Sequence, residues 1–188
     1  MGRGVVTAPE LDLGLAPKRR KGVGSHQSQR AVTDTWLTPP WILEKLGHFD
    51  LDPCAASEPR PWPTAGIHYT REMDGLSRPW IGRVWLNPPY GPATGKWLAR
   101  LASHDNGVAL VFARTETATW FEHIWPKASA ILFFRGRLNF HFPNGTRSPT
   151  NAGAPSALVA YGADNARCLL DVADVMGWAI LGKTKEGA

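Results

Sequence analysis

Asn87-Pro88-Pro89-Tyr90 is the run in this chain whose residue types and order best suit covalent chemistry. An exocyclic amine on an aromatic ring is a weak nucleophile, because its lone pair is delocalised into the ring. Accepting hydrogen bonds from both of its hydrogens draws the nitrogen toward tetrahedral geometry and aims the lone pair at an electrophile. The Asn87 side-chain oxygen can accept one such bond, and the carbonyl of Pro88 the other. Proline has no N–H donor, fixes φ and holds the residue before it extended, so Pro88 and Pro89 present acceptors on a rigid turn. Tyr90 adds a face on which a nucleobase turned out of its helix can stack. The chemistry served is direct attack of the amine nitrogen on a sulfonium methyl carbon, with no covalent enzyme intermediate. A plain proline turn closing a strand would use the same residues. The setting therefore decides.

That setting is an alternation of strands and helices. Thr38-Pro39-Pro40 reads as a helix start with Thr38 as N-cap, followed by Trp41, Ile42 and Leu46 on one face and Gly47 at the end. Phe49 to Asp52 alternates as a short strand stopped by Pro53, and residues 54–66 read as loop. A second strand, Gly82 to Leu86, runs straight into Asn87. An amphipathic helix over 93–103 follows through Trp97, Leu98 and Leu101. Val108 to Ala113 and Ala130 to Phe134 are apolar runs of the kind buried on both faces of a sheet. Thr117 to Trp125 reads as helix, Ala157 to Tyr161 as a late strand, and Ala166 to Met176 as a closing helix. The order predicts an α/β fold, a mainly parallel central sheet with helices on both faces. Ligands in such sheets bind at the carboxyl ends of strands, where Asp52 and Asn87 both fall.

Other chemistries lack support. Six histidines are scattered without HxH or HExxH spacing, and Cys54 and Cys168 have no CxxC pairing, so no metal is expected. The stretch from Gly91 to Lys96 lacks the glycine spacing of a P-loop, and no nucleophile elbow is present. No apolar run approaches the roughly 20 residues of a membrane helix, and no apolar h-region follows the first charges. A cytoplasmic protein with reduced thiols is the expectation. The 188 residues fit one domain, with 43% hydrophobic and 20% charged residues. Nine tryptophans serve packing first, and one or two could stack on a base.

Charge is unevenly spread. Residues 1–30 carry a net +4, residues 31–122 carry −2, and residues 123–162 carry +4 with no acid at all. Residues 1–33, with the run Lys18-Arg19-Arg20-Lys21, read as a disordered basic arm, either a solvated tail or a phosphate-binding one. Residues 34–188 form the folded domain. Within it, 135–156 is the segment expected to face DNA, through Arg135, Arg137, Asn139 and Arg147. Arginine reads guanine edges or holds phosphate, and asparagine reads adenine edges. An aromatic hairpin packed on the core is the alternative for Phe140.

The order of blocks resembles the phage-type DNA N-6-adenine methyltransferase (Dam) family. The blocks are Trp36-x-Thr38-Pro39, Asp52-Pro53-Cys54-Ala55, Asp74-Gly75-Leu76 and Asn87-Pro88-Pro89-Tyr90, with Ala113-Arg114-Thr115, Trp120-Phe121 and Gly136-Arg137-Leu138-x-Phe140 behind them. The resemblance covers roughly residues 34–163. It implies a reduced Rossmann-like methyltransferase fold, S-adenosylmethionine as cofactor, double-stranded DNA as partner and a bacterial host cell as location. It further implies that Thr38 and Pro39 line the methionine end of the cofactor. By the same resemblance Asp52, with Pro53, Cys54 and Ala55, holds the cationic amino group, and Asp74 contacts the cofactor's adenine. Asp74-Gly75 is equally a common turn pair.

Departures from the family pattern keep rivals open. Where the wider class has glycines, this chain has Ala55, Ala56 and Ser57, so the cofactor loop must be looser or differently angled. Only 34 residues separate Asp52 from Asn87, and the acid that would grip the ribose is not identifiable, Glu58 and Glu72 being candidates. An amino-methyltransferase acting on RNA or on protein glutamine is one rival. A DNA-binding module with an inactive cofactor loop is another.

Overall fold

Side chains along the inner strands alternate between two faces, and the computed structural model, which describes residues 35–182, shows each face covered by helix. The elements are α1 (Pro40–Leu46), β1 (Leu51–Asp52), β2 (Ile67–His68), β3 (Val84–Leu86), α2 (Thr94–His104), β4 (Gly107–Phe112), β5 (Ala130–Phe134), β6 (Ser156–Tyr161), α3 (Ala163–Asp171), α4 (Ala173–Met176) and β7 (Gly177–Leu181). A 3₁₀ turn at Arg71–Met73 and a π-helical turn at Trp120–Ile124 complete them. The basic arm predicted over residues 1–33 lies outside the described residues.

All seven strands join one sheet in the order β2-β1-β3-β4-β6-β5-β7. The sheet is mixed, which corrects the mainly parallel one expected from the sequence. The ladders β1–β2, β1–β3 and β3–β4 are parallel but short, whereas β4–β6, β6–β5 and β5–β7 are antiparallel and carry most of the backbone pairing. The reason is β6, which returns between β4 and β5 against the direction of both.

On one face Trp85, Val108, Leu110, Leu132 and Leu158 meet α1, α3 and α4 through Ile42, Leu46, Leu169 and Met176. On the other, Leu86, Ala109, Val111, Ile131 and Val159 meet α2 and the π turn through Leu98, Leu101 and Ile124. Full burial of each such side chain contributes roughly 1.5–3 kcal/mol, so the two-sided core outweighs any single polar contact in the fold. Arg83 ties α1 to the sheet and to α3. Its guanidinium donates to the carbonyls of Leu46 and His48 at 2.8 and 2.9 Å and to Asn165 at 2.7 Å, and lies 4.2 Å from the Phe49 ring.

Several element boundaries differ from the sequence reading. Pro39, not Thr38, is the N-cap of α1 and no side chain caps it; Thr38 is buried instead. Gly47 does end the helix, with φ at +80° that glycine adopts without strain. The closing helix is broken into α3 and α4, and the chain then turns into β7, which the sequence reading missed. A five-residue apolar stretch cannot be assigned to helix or strand by periodicity. β7 is an edge strand, and its Trp178 is 75% exposed.

Candidate active site

β1 and β3 are parallel neighbours, so their carboxyl ends lie side by side, and the loops after Asp52 and after Leu86 meet there. The Cys54 thiol donates to the main-chain carbonyl of Asn87 at 3.1 Å, joining the two loops. Burial and the nearby Asp52 carboxylate push that thiol well above its usual range, so it stays protonated and serves as a donor. The Asn87 amide nitrogen donates to the Trp36 carbonyl at 3.1 Å, which brings the segment before α1 to the same point. This bond orients the side chain. It leaves the Asn87 Oδ1 buried without a hydrogen-bond partner among the described residues.

The proline corner is braced from behind. The Thr94 hydroxyl, in the first turn of α2, donates to the Pro89 carbonyl at 2.8 Å and accepts from the Gly91 N–H at 3.1 Å. With the Asn87 carbonyl taken by Cys54, Pro88 has the one carbonyl of the Asn-Pro-Pro turn with no hydrogen bond among the described residues. Tyr90 is 38% exposed and stacks on Phe112, with centroids 4.1 Å apart and the planes 10° from parallel. The Arg114 guanidinium lies 5.8 Å from the Phe112 ring.

The residues tied by resemblance to a cofactor fall in three places. Thr38, Pro39, Pro53 and Ala55 are buried. Asp52, only 3% exposed, accepts from the Cys54 N–H at 3.0 Å and from the Thr64 hydroxyl at 2.5 Å. Burial raises its carboxyl from 3.8 to about 6, against the lowering effect of Thr64, the Cys54 N–H and Arg60. Asp74 is exposed, at a left-handed φ of +48°. Its neighbour Gly75 is pressed against the first loop, since a Cβ there would stand 1.8 Å from the Pro53 carbonyl oxygen. Asp74-Gly75 is thus a turn, as its composition allows, and it packs against the loop that follows Asp52.

Beside these residues is a cleft of about 380 Å³, lined by Leu37, Ala56, Ser57, Glu58, Arg60 and Asn144 among others. Asn87 and Tyr90 do not line it. Two of its lining residues are nevertheless near in sequence to residues that bond Asn87, Leu37 next to Trp36 and Ala56 two residues after Cys54. Instead of glycines, polar side chains shape the loop. His68 Nε2 accepts from the N–H groups of Thr64 and Ala65 at 3.2 and 3.3 Å, and Arg60 donates to the Ala56 carbonyl at 2.7 Å.

The segment expected to face DNA is a braced loop beside this cleft. Leu138 and Phe140 are buried in the core, as the packed-hairpin alternative has it. His141 bridges to Leu37 on one side and to Arg147 on the other. Asn139 donates to the Ser148 carbonyl at 3.2 Å and accepts from Arg147 at 3.2 Å, so its amide is engaged at both ends. Arg137 donates to the carbonyls of Ala152 and Gly153, and Arg135, Arg137 and Arg147 are all exposed.

Arg60, Thr64, Thr94 and Phe112 were not singled out from the sequence. Phe112 had a readable signal, as the last aromatic of a buried strand near the corner. The other three had none. Among the described residues no group of three or more His, Cys, Asp or Glu side chains could hold a metal ion, and no helix is long and apolar enough to cross a membrane.

The family described as DNA N-6-adenine-methyltransferase (Dam) matches residues 25–166. No curated protein and no solved structure matches the chain.

Proposed function

From the premise that the chain belongs to the DNA N-6-adenine-methyltransferase (Dam) family, we propose that it moves a methyl group from S-adenosylmethionine to the N6 amine of an adenine turned out of double-stranded DNA. The observation that carries this reading is the buried Oδ1 of Asn87, unpartnered among the described residues. A buried acceptor without a donor disfavours the fold by about 1–3 kcal/mol, and such groups persist where a ligand completes them. An amine hydrogen is the donor that fits.

S-adenosylmethionine, when bound, supplies a sulfonium carbon open to nucleophilic attack. The chain's own groups do the rest. Trp36 holds the Asn87 amide so that its oxygen, not its nitrogen, is left to accept. The Asn87 Oδ1 and the Pro88 carbonyl take the two amine hydrogens and hold the nitrogen's lone pair out of conjugation. Thr94 and Cys54 keep the neighbouring carbonyls occupied, so the turn does not rearrange when the base arrives. The open face of Tyr90 stacks the base. No side chain is required as a strong base, because the methylated nitrogen is acidic and releases its proton to an adjacent oxygen.

The parallel ladders β2-β1-β3-β4, with Asp52 and Asn87 at neighbouring carboxyl ends, support reading that half of the sheet as Rossmann-like. Thr38, Pro39, Pro53, Cys54 and Ala55 then form the walls of the cofactor site, and Asp74 stands at its adenine end. The exposed Arg135, Arg137 and Arg147, in a stretch without acids, suit DNA phosphates.

Methyl transfer from tritiated S-adenosylmethionine to duplex DNA, structured RNA and protein tests the reading. Label is expected in DNA, as N6-methyladenine after hydrolysis. Label confined to RNA or to glutamine would replace the substrate, and no label in any acceptor would sink the proposal.

A further inference from the structure

We propose that Arg60 and Glu58, rather than Asp52, meet the charged amino-acid end of the cofactor; the inference rests on the cofactor assigned above. The methionine end of that cofactor is a zwitterion, one ammonium and one carboxylate on the same carbon. A site for it needs a cation and an anion side by side, near the elements that hold Asn87.

Asp52 is poorly placed for this task. It is 3% exposed, and each of its oxygens already accepts from its own loop, one from the Cys54 N–H and the other from the Thr64 hydroxyl. The carboxylate closes the loop from within.

The cleft has what Asp52 lacks. Arg60 and Glu58 both line it and form an ion pair, with the Arg60 side chain only 13% exposed. The Arg60 main-chain N–H also donates to the Glu58 carboxylate at 2.7 Å, so the Glu58 side chain holds both the backbone and the guanidinium of Arg60. A guanidinium has five N–H donors, and here one goes to the Ala56 carbonyl and another to Glu58. The remaining donors suit a planar carboxylate, which arginine takes two bonds at a time. Glu58, 67% exposed at its side chain, supplies the opposite charge for the ammonium. Trp36 and Cys54, which bond Asn87, stand next to Leu37 and two residues before Ala56 of the cleft lining, so short chain segments join the cleft to the proline corner.

The missing glycines also find an explanation. Where a glycine loop lets backbone N–H groups approach a ligand, this loop carries Cβ atoms and offers side chains instead.

Calorimetric binding of two ligands to the full-length chain tests the inference. S-adenosylhomocysteine carries the amino-acid end; 5′-methylthioadenosine shares the adenosine and thioether but lacks it. Wild type is expected to prefer the first. Arg60→Met is expected to weaken S-adenosylhomocysteine by about tenfold or more while changing 5′-methylthioadenosine by less than about threefold, with Glu58→Gln a smaller selective loss. Preference for S-adenosylhomocysteine unchanged in both variants overturns the inference and leaves the methyltransferase reading standing. If Arg60→Met loses both ligands together, Arg60→Lys decides: a selective loss there supports the clamp, and an equal loss overturns it. Wild type binding neither ligand overturns the inference and the cofactor together.

Discussion

Asn87→Ala separates the catalytic use of this side chain from its structural use. The substitution removes the donor to the Trp36 carbonyl, a 3.1 Å bond whose net contribution is about 1 kcal/mol. It also removes a buried acceptor with no partner among the described residues, which disfavours the fold by about 1–3 kcal/mol. The two effects oppose each other, so stability should stay about the same or rise by up to about 2 kcal/mol. Turnover should not be spared. Losing one of two preorganised partners of a reacting group typically raises a barrier by about 2.7–4 kcal/mol, a fall of roughly 10²–10³ in rate. Single-turnover methylation of duplex DNA at saturating cofactor, read beside urea unfolding and cofactor affinity, isolates the effect. Turnover within about tenfold of wild type, or an activity loss that merely tracks the unfolded fraction, would refute the mechanism. Asn87→Asp keeps an acceptor but sets a carboxylate against the Trp36 carbonyl, so it should lie between wild type and alanine in rate.

Three further outcomes follow from the geometry. Asp52 titrates near pH 6 when folded and at 3.8 in its ordinary state, so the folded form binds the extra proton between those values. Its contribution therefore favours the fold at low pH and is lost as pH rises from 3.8 through about 6. Relative to Asp52→Asn, wild type should gain up to about 3 kcal/mol as pH falls through that window, and parallel stability curves would contradict the assignment. Gly75→Ala places a Cβ 1.8 Å from the Pro53 oxygen and should destabilise by about 1–3 kcal/mol in denaturant titration while weakening cofactor binding; wild-type stability would show that the loops part freely. Arg147→Ala should lower the slope of log affinity against log salt for duplex DNA by about one, and an unchanged slope would remove Arg147 from the phosphate contacts.

Much of the site could be read from the residues because its parts are local. Asn87-Pro88-Pro89-Tyr90 announces a stiff acceptor corner, and Phe49 to Asp52 and Gly82 to Leu86 announce the strands that deliver both loops, which the structure shortens to Leu51–Asp52 and Val84–Leu86. Long-range pairing was not legible. Nothing in Ser156–Tyr161 says that it will insert between β4 and β5 in the opposite sense, and that insertion turned an expected parallel sheet into a mixed one. Likewise the partners of Asn87 come from residues 36 and 54, far along the chain, and Thr64 reaches Asp52 across a loop with no periodicity. Thr38 looked like a helix cap because Thr-Pro-Pro has the composition of one. It is buried instead, one residue before the N-cap Pro39.

The contact of Tyr90 with Phe112 fixes how many guests the aromatic shelf can host. One side of the phenol ring is permanently claimed by a neighbour that belongs to a central strand, leaving a single vacant side. In the proposed reaction an incoming purine would be added to the outside of a pile whose foundation is the sheet itself. Its height above the strands is thereby set in advance, and a second base cannot slip in underneath.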